Sequence, residues 1–188
     1  AFRSGGTDFF PGDRLLARRI DAWFANSHFN AWQIKTRYKR YPRVIYNGVD
    51  TGQFSPQWRD PGLRRELGVA DDEVLLVFAG RIVGWKGLGY AVRALARPEL
   101  AGLPVKLLVI GDGPFLPELK ELAARLDVMH RLLFRDAMPH RELPRFYASA
   151  DVGVFPSVGD EGFSNSIAEV MASGRPVVAT AFSGTTET

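Results

Sequence analysis

The strongest constraint on the fold is an alternation of short apolar runs with helical stretches that begins near Val74. The runs are rich in β-branched residues, as buried parallel strands should be, and they lie at residues 74–79, 105–110, 132–134, 152–155 and 177–180. Helices are predicted between them at 89–96, 117–126, 142–149 and 164–173. This pattern predicts an α/β, Rossmann-like fold with a doubly wound parallel sheet, whose ligands bind at the carboxyl ends of the strands.

Residues 1–49 lack this alternation and are predicted to be the end of a separate domain. The predicted elements there are a helix at 14–20, a strand at 22–26, a helix from Ser27 to about Tyr41 and a strand at 44–46. Ser27 can cap the second helix, which must stop before Pro42. Residues 50–62 are rich in Gly and Pro and are interpreted as an interdomain linker, and 63–188 as the Rossmann-like domain.

Composition excludes several classes of function. The absence of Cys excludes thiol catalysis and thiolate metal sites, and the three His residues lack metal-ligand spacing. No apolar run reaches the length of a membrane span, so a cytoplasmic location is expected. The basic segment 35–40 could rest against anionic lipid as a peripheral membrane contact, or against nucleic acid, but a solvated helix end is the favoured interpretation and no nucleic-acid partner is expected.

The loop after the first strong strand has residues suited to a diphosphate. Gly80 and Gly87 let the backbone approach a ligand closely, and the cations Arg81 and Lys86 can bracket two phosphates. The segment is not a P-loop, because Lys86 is followed by Gly rather than Ser or Thr. A surface loop with two solvated charges is the alternative.

A second loop, Gly111-Asp112-Gly113-Pro114, begins like a dinucleotide fingerprint. Leu116 stands where the third Gly belongs, so a nicotinamide cofactor is not expected. The loop is interpreted as a tight turn that Asp112 shapes.

Glu161 and Glu169 form a pair of carboxylates on a segment that runs from a Gly-containing loop onto a helix. Free N–H groups at the start of that helix can face an anion, so the segment suits a ligand with hydroxyls and phosphates. The alternative for Glu161 is an exposed loop acid.

Two interpretations of Glu169 are open. The helical period places Ile167, Val170 and Met171 on the apolar stripe and leaves Glu169 out of the core, where it can meet a ligand. Ser166 and Glu169 also fit a capping box, in which Glu169 would only satisfy a backbone N–H group.

In this order the motifs resemble the family 4, or group 1, retaining glycosyltransferases of the GT-B fold. The resemblance covers residues 22–188 and rests on Asn47-Gly48-Val49-Asp50, Gly80-Arg81 with Lys86-Gly87, Gly111-Asp112-Gly113-Pro114, Glu161 with Glu169, and Gly174-Arg175-Pro176. It implies a truncated C-terminal donor-binding domain with a remnant of the N-terminal acceptor domain. The implied activity moves a sugar from a UDP- or GDP-sugar, with retention, to a glycan, lipid-linked or small-molecule acceptor.

The resemblance also implies roles for single residues. Arg81 and Lys86 would hold the donor diphosphate and stabilise the leaving group, Glu161 would contact the transferred sugar, and Glu169 would bond the ribose. Further donor contacts would come from Gly80, Gly87, Ala137, Met138, Phe163, Ser164 and Asn165. No metal and no cofactor are expected, because the sequence has no Asp-x-Asp pair and the nucleotide sugar is a substrate.

The family is longer than this chain, so the chain is expected to be a piece of a longer protein that binds donor with little transfer on its own. Gly184 and Glu187 fit the beginning of the family's next Gly- and Glu-containing loop. The alternatives are a donor-binding fragment without catalysis and a GT-B relative such as a nucleotide-sugar 2-epimerase.

Overall fold

The computed structural model describes residues 13–188, which form two compact units. The N-terminal unit comprises the described residues up to Gly48 with Gly159–Ser164 and Ala181–Thr188. The Rossmann-like unit comprises Val49–Val158 and Asn165–Thr180. The domain boundaries expected from the sequence stay predictions.

The N-terminal unit contains two short parallel strands and two helices: α1 (Asp13–Ala17), β1 (Phe24–Ala25), α2 (His28–Tyr38) and β2 (Arg43–Val44). Ser27 caps α2 as predicted, because its Oγ accepts a hydrogen bond from the backbone N–H of Asn30 at 3.1 Å. The helix ends at Lys39, which adopts the left-handed conformation with φ of 61°. The end of α2 therefore falls earlier than the predicted limit at Tyr41.

The Rossmann-like unit alternates strands and helices. Its elements are α3 (Pro61–Glu66), β3 (Val74–Ala79), α4 (Leu88–Leu95), α5 (Pro98–Ala101), β4 (Val105–Ile110), α6 (Leu116–Arg125), β5 (Leu132–Arg135), α7 (Leu143–Ser149), β6 (Val152–Phe155), α8 (Asn165–Ala172) and β7 (Val177–Ala179). All five strands are parallel, in the order β5-β4-β3-β6-β7. The predicted fold class is confirmed.

The strand order places a reversal of chain direction between β3 and β6. After β3 the chain adds β4 and β5 on one side of the sheet, and it then crosses to add β6 and β7 on the other side. At such a switch point the loops after the two central strands diverge and leave a crevice at their carboxyl ends. The fold therefore predicts a ligand site near the loops that follow Ala79 and Phe155.

The core of this unit lies on both faces of the sheet. Leu75, Val77 and Leu107 are fully buried in the central strands, and Leu119 covers them from α6. Phe54, in the segment interpreted as a linker, is also part of this core and only 1% exposed. A Pro/Gly-rich stretch can thus contribute a core side chain without belonging to a helix or strand.

Arg131 is a buried cation that fastens the sheet edge to the chain between α4 and β4. Its guanidinium donates hydrogen bonds to the carbonyl oxygens of Leu95 (2.7 Å), Leu100 (2.9 Å), Leu103 (2.6 Å) and Val105 (3.1 Å). The oxygens of Leu100 and Leu103 also accept from the backbone amides of Leu103 (3.1 Å) and Val105 (2.9 Å), so Arg131 adds a second bond to each. Arg131 thus ties the turn before β4 to the end of α4 and helps to satisfy the backbone groups there.

No helix within residues 13–188 has both the length and the hydropathy needed to cross a bilayer.

Candidate functional site

The loops after β3 and β4 lie against each other through their backbones. The amide of Ile82 donates to the carbonyl oxygen of Asp112 at 2.8 Å. A Cβ atom on Gly111 would lie 2.0 Å from the carbonyl oxygen of Gly80, and one on Gly113 would lie 2.2 Å from that of Ile82. The Asp112 carboxylate accepts from the Gly113 amide at 2.7 Å, which confirms the tight turn predicted for this loop.

The loop after β3 is also held to the loop after β6. Gly87 has φ of 72° and lies directly against the backbone of Pro156, and the Val158 amide donates to the Trp85 carbonyl oxygen at 2.8 Å. The Lys86 ammonium lies 4.7 Å from the centre of the Trp85 ring. The two loops at the switch point are thus fixed by contacts that require Gly at position 87.

A cleft of about 420 Å³ opens at the carboxyl ends of β3 and β4, bounded by α7 and the first turns of α8. Six residues predicted for the site line this cleft: Gly80, Arg81, Ala137, Met138, Asn165 and Glu169. Other lining residues were not predicted, among them Gly111, His140, Tyr147 and Ser166. Arg81 is exposed to solvent, and Met138 packs against the core.

The remaining predicted residues do not line the cleft: Lys86, Gly87, Glu161, Phe163 and Ser164. Glu161, Phe163 and Ser164 fold with the N-terminal unit. There the Gly184 amide donates to the Glu161 carbonyl oxygen at 2.7 Å, and the Phe163 ring lies 6.0 Å from the ring of Tyr46. The roles predicted for these side chains stay predictions.

Glu169 is enclosed, which corrects the expectation that it lies out of the core. The residue is only 7% exposed, whereas Met171, expected on the apolar stripe, is 52% exposed. The reason is that α8 contacts β6 and β7 along one side and α7 along another, so a second face of the helix is also covered. A single amphipathic stripe cannot describe a helix that is covered on two sides.

The capping-box interpretation of Glu169 is wrong. Helix α8 begins at Asn165, so Ser166 lies within the helix rather than at its cap. The Glu169 carboxylate instead points to the loop before α7, where its Oε1 lies 2.8 Å from Nε2 of His140. Glu169 is therefore placed to meet a ligand in the cleft.

Tyr147 is fully buried beside this pair. Burial raises the pKa of its hydroxyl, and the nearby charge of Glu169 raises it further. Within the described part of the chain, the hydroxyl makes no hydrogen bond of good geometry. A neutral hydroxyl close to Ser166 and Glu169 thus lies at the edge of the cleft.

Of the lining residues that prediction missed, only His140 has a usable sequence signal. It follows a predicted strand, in the same kind of loop as the other site residues, and metal-ligand spacing is not the only role open to such a histidine. Tyr147 looks like an ordinary core aromatic in a helix. No group of three His, Asp or Glu residues among residues 13–188 is arranged to hold a metal ion.

Residues 73–188 match the model of the family described as "Glycosyl transferases group 1". An uncharacterized glycosyltransferase of Methanocaldococcus jannaschii is 36% identical over 148 residues, covering 77% of this chain and 37% of that protein. A D-inositol 3-phosphate glycosyltransferase of Geodermatophilus obscurus is 35% identical over 185 residues, covering 92% of this chain and 41% of that protein.

Among solved structures, that of Anabaena Alr3699/HepE in complex with UDP-glucose is 30% identical with a TM-score of 0.77, covering 92% of this chain and 48% of that one. The chain thus spans about two fifths of the length of these curated relatives and about half of the solved structure.

Proposed function

The chain belongs to the group 1 glycosyltransferases, and we propose that it provides the donor site of an enzyme that transfers a sugar from a nucleoside diphosphate sugar to an acceptor. The observation that supports this most directly is the cleft at the carboxyl ends of β3 and β4. It has a cation, Arg81, at one wall and an enclosed carboxylate, Glu169, at the other.

The diphosphate is proposed to lie over the loop after β3. Gly80 and Gly111 let the loops after β3 and β4 pack backbone against backbone beside the cleft, and Arg81 is proposed to supply a charge-assisted hydrogen bond. Lys86, on the turn that follows, is proposed as the second cation. Since the leaving nucleoside diphosphate gains negative charge, each well-placed donor can lower the barrier by about 3 kcal/mol.

The nucleoside is proposed to lie deeper in the cleft. An ionised carboxylate only accepts hydrogen bonds, so Glu169 suits the ribose hydroxyls. Ala137 and Met138 offer an apolar surface for the base. Glu161 is proposed, from the family resemblance, to contact the transferred sugar.

We propose a UDP- or GDP-sugar as donor and retention of anomeric configuration. The solved relative from Anabaena is described in complex with UDP-glucose, and a relative from Mycolicibacterium smegmatis, 34% identical over 150 residues, is named a GDP-mannose-dependent mannosyltransferase. In the proposed step the acceptor oxygen bonds to the anomeric carbon on the face from which the diphosphate leaves. The bond from that carbon to the diphosphate oxygen breaks, and a donor phosphate oxygen takes the acceptor's proton.

The test is titration calorimetry of the chain with UDP, GDP and ADP. UDP or GDP is expected to bind, and Arg81→Ala is expected to weaken binding about tenfold, because one charge-assisted hydrogen bond is lost. Arg97→Ala removes an exposed arginine that pairs with the exposed Glu99 and serves as the matched control.

Failure of the folded chain to bind any of the three nucleotides would contradict the proposal. Transfer is measured separately with UDP-glucose and GDP-mannose. Little turnover by this chain alone is expected, and rapid transfer would refute that part of the proposal.

A further inference from the structure

We propose that His140 is a positioning residue that holds the Glu169 carboxylate for the ribose, and so sets the preference of the site for ribonucleotides over deoxyribonucleotides. This inference rests on the proposed function, since it needs a nucleotide in the cleft. Both side chains line that cleft.

The first observation is the direct bond between the two side chains. Nε2 of His140 lies 2.8 Å from Oε1 of Glu169. The Glu169 side chain is only 10% exposed, whereas the His140 side chain is 59% exposed. The carboxylate is thus enclosed, and the imidazole contacts its Oε1 from the solvent side while the buried Tyr147 hydroxyl lies near it from within the fold.

The second observation is that the imidazole is itself held. The Phe54 ring meets it edge-on, with ring centres 5.1 Å apart and planes at 61°. Phe54 is a core residue with 1% exposure, so its ring is held in place by the packing around it. An imidazole packed against this ring has fewer orientations than a histidine side chain on an open surface.

The third observation concerns the hydrogen-bonding roles of the ring nitrogens. The Gln53 side-chain Nε2 lies 3.4 Å from Nδ1 of His140. The Glu169 carboxylate only accepts, so the shorter contact assigns the proton to Nε2, and Nδ1 of the neutral ring is then the acceptor that faces the Gln53 amide. The Nε2–H group therefore points to Glu169. At metal sites, similar hydrogen-bond partners orient the side chains that bind the metal.

Loss of His140 has a specific consequence. The Glu169 carboxylate would keep its place in the helix but would lose the donor that fixes its rotamer and helps to stabilise its charge in an enclosed setting. Affinity for the ribose hydroxyls should fall. Contacts to base and diphosphate, which involve other residues, should remain.

The experiment compares UDP with 2′,3′-dideoxy-UDP by calorimetry, or the GDP pair if GDP binds more tightly. The unaltered chain is expected to bind UDP at least tenfold more tightly than the dideoxy form, as the loss of a hydrogen bond to a charged group implies. His140→Ala should weaken UDP binding about tenfold and leave dideoxy-UDP binding within twofold. His140→Gln, whose amide can still donate to Oε1, should restore most of the preference.

His130→Ala, which removes an exposed histidine in a 3₁₀ turn, is the matched control. Gln53→Ala is a second variant with an intermediate expected effect, and circular dichroism checks that each variant folds. An equal loss of affinity for both nucleotides in His140→Ala would indicate a merely structural role and overturn the inference. An unaltered chain that binds both nucleotides equally would overturn it too, whereas one that binds neither would instead overturn the proposed function.

Discussion

The Cα atom of Gly87 lies so close to Pro156 that a Cβ atom at position 87 would be 1.8 Å from the Pro156 carbonyl oxygen. The contact joins the loop after β3 to the loop after β6, which are the loops at the switch point of the sheet. Backbone atoms cannot move aside as a flexible side chain can, and the φ of 72° adds strain for any other residue. Position 87 therefore fixes how the loops after β3 and β6 pack against each other.

Gly87→Ala is expected to lower the free energy of unfolding by about 3 kcal/mol, because left-handed strain and overpacking add. Urea unfolding followed by circular dichroism measures this loss. Gly84→Ala, in the same turn, is the control, since nothing lies within 4 Å of its Cβ position. Equal stability of the two variants would contradict the prediction.

Arg131→Met is expected to destabilise the chain by about 3 kcal/mol. The substitution removes four hydrogen bonds from the buried guanidinium; the Leu100 and Leu103 oxygens keep their backbone donors, whereas the Leu95 and Val105 oxygens lose the bond from Arg131. Arg125→Met, at an exposed position in the last turn of α6, controls for the change of charge. Thermal unfolding should separate the two variants by several degrees, and a similar transition temperature would show that water replaces the guanidinium.

Glu187 predicts a pH dependence in the N-terminal unit. Burial alone would raise its pKa, but the backbone N–H groups of His28 and Phe29, at 2.7 and 2.8 Å, and the Tyr46 hydroxyl lower it below the ordinary value of 4.5. A depressed carboxyl pKa stabilises the folded state fully above the unfolded pKa, and this stabilisation is lost as the pH falls through the folded pKa.

The unaltered chain should therefore lose stability on acidification from about pH 5 downward more steeply than Glu187→Gln does. Urea unfolding at a series of pH values between 7 and about 3 measures the two slopes. Glu121→Gln, on the exposed side of α6, is the control and should keep the original slope. Parallel curves for Glu187→Gln and the unaltered chain would contradict the assignment.

Donor binding is expected to be independent of divalent metal, because Arg81 and Lys86 are proposed to balance the charge of the diphosphate. UDP titrations with EDTA and with added Mg²⁺ should then give the same affinity. A tenfold loss in EDTA would contradict this expectation and would indicate that a metal bridges the phosphates.

The sheet could be predicted from sequence because buried parallel strands are contiguous apolar runs, and β3, β4 and β6 coincide with the predicted segments. Helices α3 and α5 could not, because each is too short to show a helical period. The position of Arg81 in the cleft could also be predicted, because Arg81 lies just after the end of β3.

The surroundings of Glu169 could not be predicted from the sequence, for a different reason. Its partner His140 is 29 positions away and on another element, and helix α7 covers the side of α8 that looks polar in sequence. Such contacts depend on how elements pack, which the local period does not encode.

Glu169→Gln tests the proposed ribose contact most directly. Gln keeps the size of the side chain and an oxygen that can accept from His140 Nε2, so the change removes charge with little loss of packing. Because Glu169 is enclosed, a hydrogen bond from a ribose hydroxyl to its carboxylate should be worth more than one to a neutral amide. We expect UDP affinity to fall about tenfold by calorimetry, with dideoxy-UDP unaffected. Glu142→Gln, an exposed acid beside the same loop, should bind both nucleotides like the unaltered chain, and unchanged UDP affinity in Glu169→Gln would remove Glu169 from the proposed donor site.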